Sequence, residues 1–220
     1  MNQLKRVFPF SIPVLMGYIP LGIGFGYLFV NTGGAIWQAV FLSVFAFAGA
    51  MQYLAISLFS AGVSFSTLAV MTLVINGRHI FYGLSLLDEQ PKAIGLKLYA
   101  IFALTDETYS LRTSLKKKLD KNDQVLLSFL NHLWWIIGSF IGAVLGRYFP
   151  TNAAGLEFSL TALFIVLCIE QTKNTGTMNP ILYACISFSG CYYFFQAQAL
   201  ILSIFITAIL LLIEFHYKKK

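Results

Sequence analysis

Apolar stretches close to the roughly 20 residues that a helix needs to cross the hydrocarbon core of a bilayer recur from one end of the chain to the other. They are apolar on nearly all sides, as in residues 200–213. A β-barrel would instead show segments of about ten residues with period-two alternation. The spans therefore read as helices. Charge agrees: 11% of the 220 residues are Asp, Glu, Lys or Arg, against roughly 25% in a soluble domain. Much of the surface must face lipid.

Glycine, asparagine and proline clusters cut the chain into eight candidate spans at about 8–30, 35–61, 65–87, 95–111, 124–148, 155–171, 180–196 and 198–216. The expected fold is a single membrane-embedded domain over residues 1–220. It is an all-α integral membrane protein, a polytopic bundle of seven to eight transmembrane helices whose first helix is broken by Pro and Gly. The last two spans share one nearly continuous apolar stretch and read as a hairpin turning at Gln196-Ala197-Gln198. The opening MNQLKR and the apolar run behind it read as an uncleaved first helix.

The net charge of +6 does not imply nucleic acid, because the basic residues cluster at span ends. They are Lys5-Arg6, the group Arg112, Lys116, Lys117, Lys118 and Lys121, and Lys218-Lys219-Lys220. The positive-inside rule places all three groups, and hence both termini, in the cytoplasm. Eight spans satisfy this, whereas dropping span four alone would put the central loop and the tail outside. Span four is therefore expected to cross. Cys168, Cys185 and Cys191 fall in apolar runs with no metal-site spacing and read as small packing residues.

Polar groups inside spans need a reason. Span one carries Pro9, Pro13 and Pro20 with Gly17, Gly22, Gly24 and Gly26. An interior proline removes a backbone bond, and in lipid the freed carbonyl must be satisfied by protein or a watery cavity. Pro20, Gly22 and Gly24 thus read either as a broken-helix backbone lining a transport site or as a kinked helix whose Gly22-x-x-x-Gly26 pair allows close packing. Span three carries Asn76-Gly77-Arg78-His79 near its middle. An arginine there costs roughly 2.5–3.5 kcal/mol on insertion scales and must find a partner. Span four offers one in Asp106 or Glu107. Gln52, mid-span, reads as substrate contact or as interhelical glue. His132 reads as an interior hydrogen-bonding residue, and Gly138, Gly142 and Gly146 as a packing stripe.

No metal site, cofactor motif, GxSxG, HExxH or P-loop occurs, so an enzyme is not expected and ATP-driven pumping would need another subunit. Three other roles compete with transport. One is a non-catalytic scaffold or regulatory subunit, whose polar residues would be replaceable. The others are a lipid-directed enzyme, for which Asp106-Glu107 is thin support, and a channel, for which no filter-like repeat is seen.

The chain resembles the AzlC-type branched-chain amino acid permease family. The resemblance rests on the Pro/Gly-rich first span, Phe47-Ala48-Gly49-Ala50-Met51-Gln52, Asn76-Gly77-Arg78-His79, Leu104-Thr105-Asp106-Glu107, and the segment from Gly155 to Phe164. These pieces occur in the family's order over about the first three-quarters of the chain. Leu156-Glu157-Phe158 stands where the family usually reads Leu-Asp-Phe, a conservative departure. The resemblance implies a bacterial cytoplasmic-membrane exporter of valine, leucine and isoleucine that works with a small AzlD-like membrane subunit. For a zwitterion, the carboxylate would meet Asn76, Arg78 or a broken-helix N-terminus. The ammonium would meet Asp106, Glu107 or freed carbonyls of span one. Proton coupling through Asp106, Glu107 or His79 is a further expectation.

Overall fold

A computed structural model describes residues 3–60, 62–115, 118–149, 158, 165, 168–169, 172, 176–196 and 199–218. All regular elements among the described residues are helices. They fall in two compact units, residues 1–160 and 161–220.

The first unit is built on two long helices, α1 (Gln3–Asn31) and α8 (Lys121–Tyr148). Both are long and apolar enough to cross a membrane by themselves. Glycines explain why they lie so close. A Cβ at Gly138 would sit 2.8 Å from the Ile19 carbonyl, and one at Gly146 would sit 2.8 Å from that of Tyr27. At Gly26 and Gly142 it would run into the backbones of Ser139 and Ile23. Small residues four apart on each helix thus let the two backbones touch. The helices run parallel. Arg6 Nη2 bonds to Asp123 at 2.7 Å near their starts, and the Tyr27 hydroxyl donates to the Phe149 carbonyl at 3.2 Å at their other ends. These are the near end and the far end of the unit.

The first helix is not broken, contrary to expectation: α1 continues through Pro9, Pro13 and Pro20. Each proline frees only the carbonyl four residues back, and the backbone of α8 supports the helix from Ile19 to Tyr27. Gly22 is a seam residue; its Cβ would lie 2.9 Å from Ser139 N.

The breaks lie in spans two and four. Span two divides into α2 (Ile36–Phe45) and α3 (Gly49–Ser60). From the far end, α2 passes Ser139 through a 2.8 Å bond from Ser43, then reaches a turn where Phe47 stacks on His132 at 4.3 Å. His132 lies midway along α8. Helix α3 then heads back: the Tyr53 hydroxyl donates to the Leu21 carbonyl at 2.6 Å, and Phe59 and Ser60 border a cleft with Phe29, Thr32 and Trp37. Span two therefore enters and leaves at the far end. It is a re-entrant hairpin, and the expectation that it crosses is corrected. Phe47, at φ 40, makes the turn in a region that bulky residues avoid. Tyr18, Phe102 and His132 pack around its ring and hold it there.

Span three runs from the far end of the unit to the near end. Helix α4 (Phe65–Asn76) begins beside Phe59, and α5 (Arg78–Ser85) leads to a 3-10 turn, Leu87–Glu89, where Lys121 Nζ reaches the Asp88 carbonyl at the near end. The two helices are separated by one residue, Gly77, whose backbone stays in the helical region (φ -54, ψ -29), so the helix is locally distorted there and not unwound.

Span four is a second re-entrant hairpin, opening to the near end, so the expectation that it crosses is also corrected. Helix α6 (Ile94–Phe102) starts near Gln3 and Asn122 and climbs to Phe102, whose ring is 6.4 Å from that of Phe47. After the turn at Ala103-Leu104-Thr105, α7 (Asp106–Ser114) descends past Asn131. It ends with Arg112 bonded to Gln124 in the first turns of α8. The arms of both hairpins, 9 to 12 residues each, measure about 14–18 Å at 1.5 Å per residue. That is about half of the ~30 Å hydrocarbon core.

The described part of the first unit thus has three segments that run its length and two hairpins that run half of it. A full-length segment followed by a hairpin occurs twice, the hairpins opening to opposite ends.

In the second unit, α9 (Asn179–Phe195) and α10 (Ala199–Lys218) form an antiparallel pair. Asn179 Nδ2 donates to Glu214 Oε1 at 2.7 Å, although 35 residues of straight helix would separate them by ~52 Å. The expected fold-back is therefore present, with Ala197 and Gln198 outside the described residues. Most of the candidate span 155–171 also lies outside them.

Candidate functional site at the hairpin tips

The two hairpin turns meet halfway along α1 and α8, and Arg78, Asp106 and Glu107 collect there. Helix α7 begins at this depth because Thr105 caps it, its hydroxyl accepting from Thr108 N at 3.2 Å. Asp106 and Glu107 follow in the first turn, where the partial positive charge of the helix N-terminus favours carboxylates.

Asp106 is the better anchored of the two. Arg78, first residue of α5 after Gly77, places Nη2 2.8 Å from Asp106 Oδ2. The Tyr82 hydroxyl donates to Oδ1 at 2.7 Å. Tyr82 in turn stacks on Tyr109 at 4.3 Å and lies 5.7 Å from the ring of His79. The Arg78 side chain remains 36% exposed, against 19% for Asp106. Its Nε is buried and bonds to nothing among the described residues. The pairing expected for a mid-span arginine is therefore present, and Asp106 is the partner.

Glu107 points the other way, to α1. Its Oε2 accepts from the Tyr18 hydroxyl at 2.7 Å, and the same hydroxyl lies 2.6 Å from Thr105 Oγ1. From Thr105 a chain of side chains continues into the core. Thr108 Oγ1 follows at 3.0 Å and accepts from Asn131 Nδ2 at 3.1 Å. Asn131 Oδ1 accepts from Ser11 at 2.8 Å, and Ser11 accepts from Trp134 Nε1 at 2.8 Å. Three elements, α1, α7 and α8, are tied through one continuous polar thread. Buried polar groups of this kind are costly unless partnered, and here they are.

The remaining candidates separate into two groups. Asn76, half-buried, ends α4 beside Gly77, and His79 sits one residue past Arg78; both belong to the tip region. Gln52 belongs to a different network: Trp135 Nε1 donates to its Oε1 at 3.0 Å, and its Nε2 reaches Ser43 Oγ at 3.4 Å. Both ends of the amide serve to join α2, α3 and α8. Pro20, Gly22 and Gly24 lie on the continuous α1 and present no broken backbone. His132 is likewise used twice. The Ser43 carbonyl can only accept, so Nε2 carries the proton in their 3.0 Å bond, and Nδ1 accepts from the Tyr99 hydroxyl at 2.9 Å.

Sequence reasoning passed over Tyr18, Tyr82, Thr108 and Asn131. It also placed Arg112 in the basic loop. Arg112 is fully buried and donates to the Ala100 carbonyl at 3.1 Å, to Gln124 at 3.3 Å and to Gln90 at 3.4 Å. A signal for the α7 start was available: Thr followed by two acidic residues is a helix N-terminus pattern, here in the middle of an apparent span.

Residues 13–149, which include both hairpins, the greater part of α1 and all of α8, match the family model described as AzlC protein. The chain belongs to the AzlC family. It is similar to the branched-chain amino acid transport protein AzlC of Bacillus subtilis, 35% identical over 170 residues, or 76% of this chain and 67% of that one. An uncharacterized membrane protein of Helicobacter pylori is 36% identical over 203 residues, covering 88% of this chain and 89% of its own. The inner membrane protein YgaZ of Escherichia coli is 27% identical over 178 residues, 76% of this chain and 73% of that one. No solved structure matches. With such relatives and this helical architecture, the AzlC-family chain is a membrane protein.

Proposed function

We propose that this chain is the large subunit of a secondary transporter that exports branched-chain amino acids across the bacterial cytoplasmic membrane. Valine, leucine and isoleucine are its substrates, and a small AzlD-like membrane subunit works beside it. One observation carries the reading: two hairpins entering from opposite ends meet at mid-depth, where the distorted α4–α5 helix delivers Arg78 to Asp106. Half-length helices entering from opposite sides toward a midplane site are an architecture of alternating access. The printed name of the Bacillus subtilis relative supports the substrate class.

The chemistry suits a zwitterion. Arg78, whose buried Nε is unspent among the described residues, receives the carboxylate. Asp106 or Glu107 receives the ammonium group. Phe102, partly exposed at the tip of the second hairpin, offers an apolar surface to the aliphatic side chain. Arg6 and Lys121 share the near end, so the near end faces the cytoplasm by the positive-inside rule.

The test is release of amino acid from cells lacking their own exporters and loaded with a valine- or leucine-containing dipeptide. Expression of the chain with its small neighbour accelerates release, and Arg78→Ala or Glu107→Ala abolishes the gain while the protein still inserts. Release at background with both proteins in the membrane rejects the substrate class.

A further inference from the structure

Asp106 and Glu107 are sequence neighbours with different surroundings. Asp106 is committed to Arg78 and Tyr82. Glu107 meets no cation among the described residues; its side-chain partner is the neutral phenol of Tyr18. The titratable groups that act on it are Tyr18 on α1 and Asp106 on its own helix; Arg78, His79 and Tyr82 on α5 gather around Asp106. His132 and Tyr99, on α8 and α6, are bonded to each other. A carboxylate inside a membrane without a cation is costly, and a proton removes that cost. We propose that Glu107 is the group that exchanges a proton against substrate, and that Tyr18 transmits its protonation state to the tip of the second hairpin. This rests on the transport reading above.

Counting hydrogens supports it. Tyr18 Oη lies within bonding distance of both Glu107 and Thr105 but owns one proton. As the bonds stand, Tyr18 donates to both Glu107 and Thr105, Thr105 donates to Thr108, and Thr108 also accepts from Asn131. With Glu107 ionised, the carboxylate holds the one phenol proton, and the Tyr18–Thr105 contact is left without a hydrogen of its own. With Glu107 protonated, Glu107 donates a hydrogen bond to Tyr18, Tyr18 donates to Thr105 and Thr105 to Thr108, and each contact holds one hydrogen. Hydroxyl protons rotate freely enough for this. One proton on Glu107 therefore turns the Tyr18 hydroxyl of α1 from Glu107 to Thr105 at the hairpin tip, while the Asn131–Thr108 bond to α8 keeps its direction. Per cycle, one O–H bond forms on Glu107 from one side of the membrane and breaks toward the other, while one zwitterion moves in the opposite direction.

The experiment uses the chain with its companion subunit in vesicles, with the membrane potential clamped. An imposed difference of about one pH unit supports up to about tenfold valine accumulation at one proton per substrate. Wild type is expected to accumulate valine and to move protons, read with a trapped pH dye. Glu107→Gln is expected to lose the accumulation entirely. Valine movement without proton movement in wild type overturns the coupling while leaving the transport reading intact. Accumulation retained in Glu107→Gln overturns the assignment to this residue. No valine movement by wild type overturns both. If Glu107→Gln fails to insert, Tyr18→Phe decides: a displaced pH dependence of transport supports the proposal, and an unchanged one overturns it.

Discussion

Arg78 and Asp106 are joined by a 2.8 Å ion pair that links the junction between α4 and α5 to the first turn of α7. The pair lies at the depth where the two hairpin tips meet, and each residue makes the other tolerable there. A lone charge at mid-depth costs roughly 2.5–3.5 kcal/mol on insertion scales.

Removing one partner is therefore worse than exchanging both. Asp106→Asn is expected to destabilise the protein by about 1–3 kcal/mol, the upper part of that range being offset by the partial exposure of Arg78. The double exchange Arg78→Asp with Asp106→Arg is expected to recover most of the loss. Thermal unfolding of the single and double variants in detergent measures the coupling. Additive losses with no recovery would show that the ion pair contributes nothing.

The α1–α8 seam should be intolerant where backbones touch and tolerant where they do not. Gly142→Val forces a side chain into the Ile23 backbone and is expected to cost about 1–3 kcal/mol or more. Gly17→Ala meets open space and should stabilise the helix by roughly 0.5–1 kcal/mol. Melting temperatures of the two variants should move in opposite directions from wild type. Equal losses would refute the seam.

Sidedness of the hairpins is open to direct labelling. In a variant without its three cysteines, a cysteine at position 36 or 60 should react with a membrane-impermeant reagent from the same, far side. A cysteine at position 94 or 114 should react from the near side. Labelling of 36 and 60 from opposite sides would mean that span two crosses after all.

Some of this was legible in the amino-acid order. The helical membrane class followed from the length and even apolarity of the spans. The need of Arg78 for an acidic partner followed from a charge placed mid-span. The close packing of Gly138, Gly142 and Gly146 followed from their four-residue spacing. Each is a local property, settled by the residue itself or by neighbours one turn away.

Which apolar segments cross was decided only by tertiary structure. Hydropathy measures how long a segment stays apolar; it carries no information on whether the chain reverses halfway. Residues 35–61 therefore look like a crossing, although Phe47 turns the chain back, held by Tyr18 and His132 from two other helices. Charge bias could not reveal the error. Removing spans two and four together leaves Lys5-Arg6 and the central basic segment on one side, just as keeping both does. The prolines of α1 misled for the same reason. Whether a proline breaks a helix depends on what supports the backbone around it, and that support is α8, more than a hundred residues away in the chain.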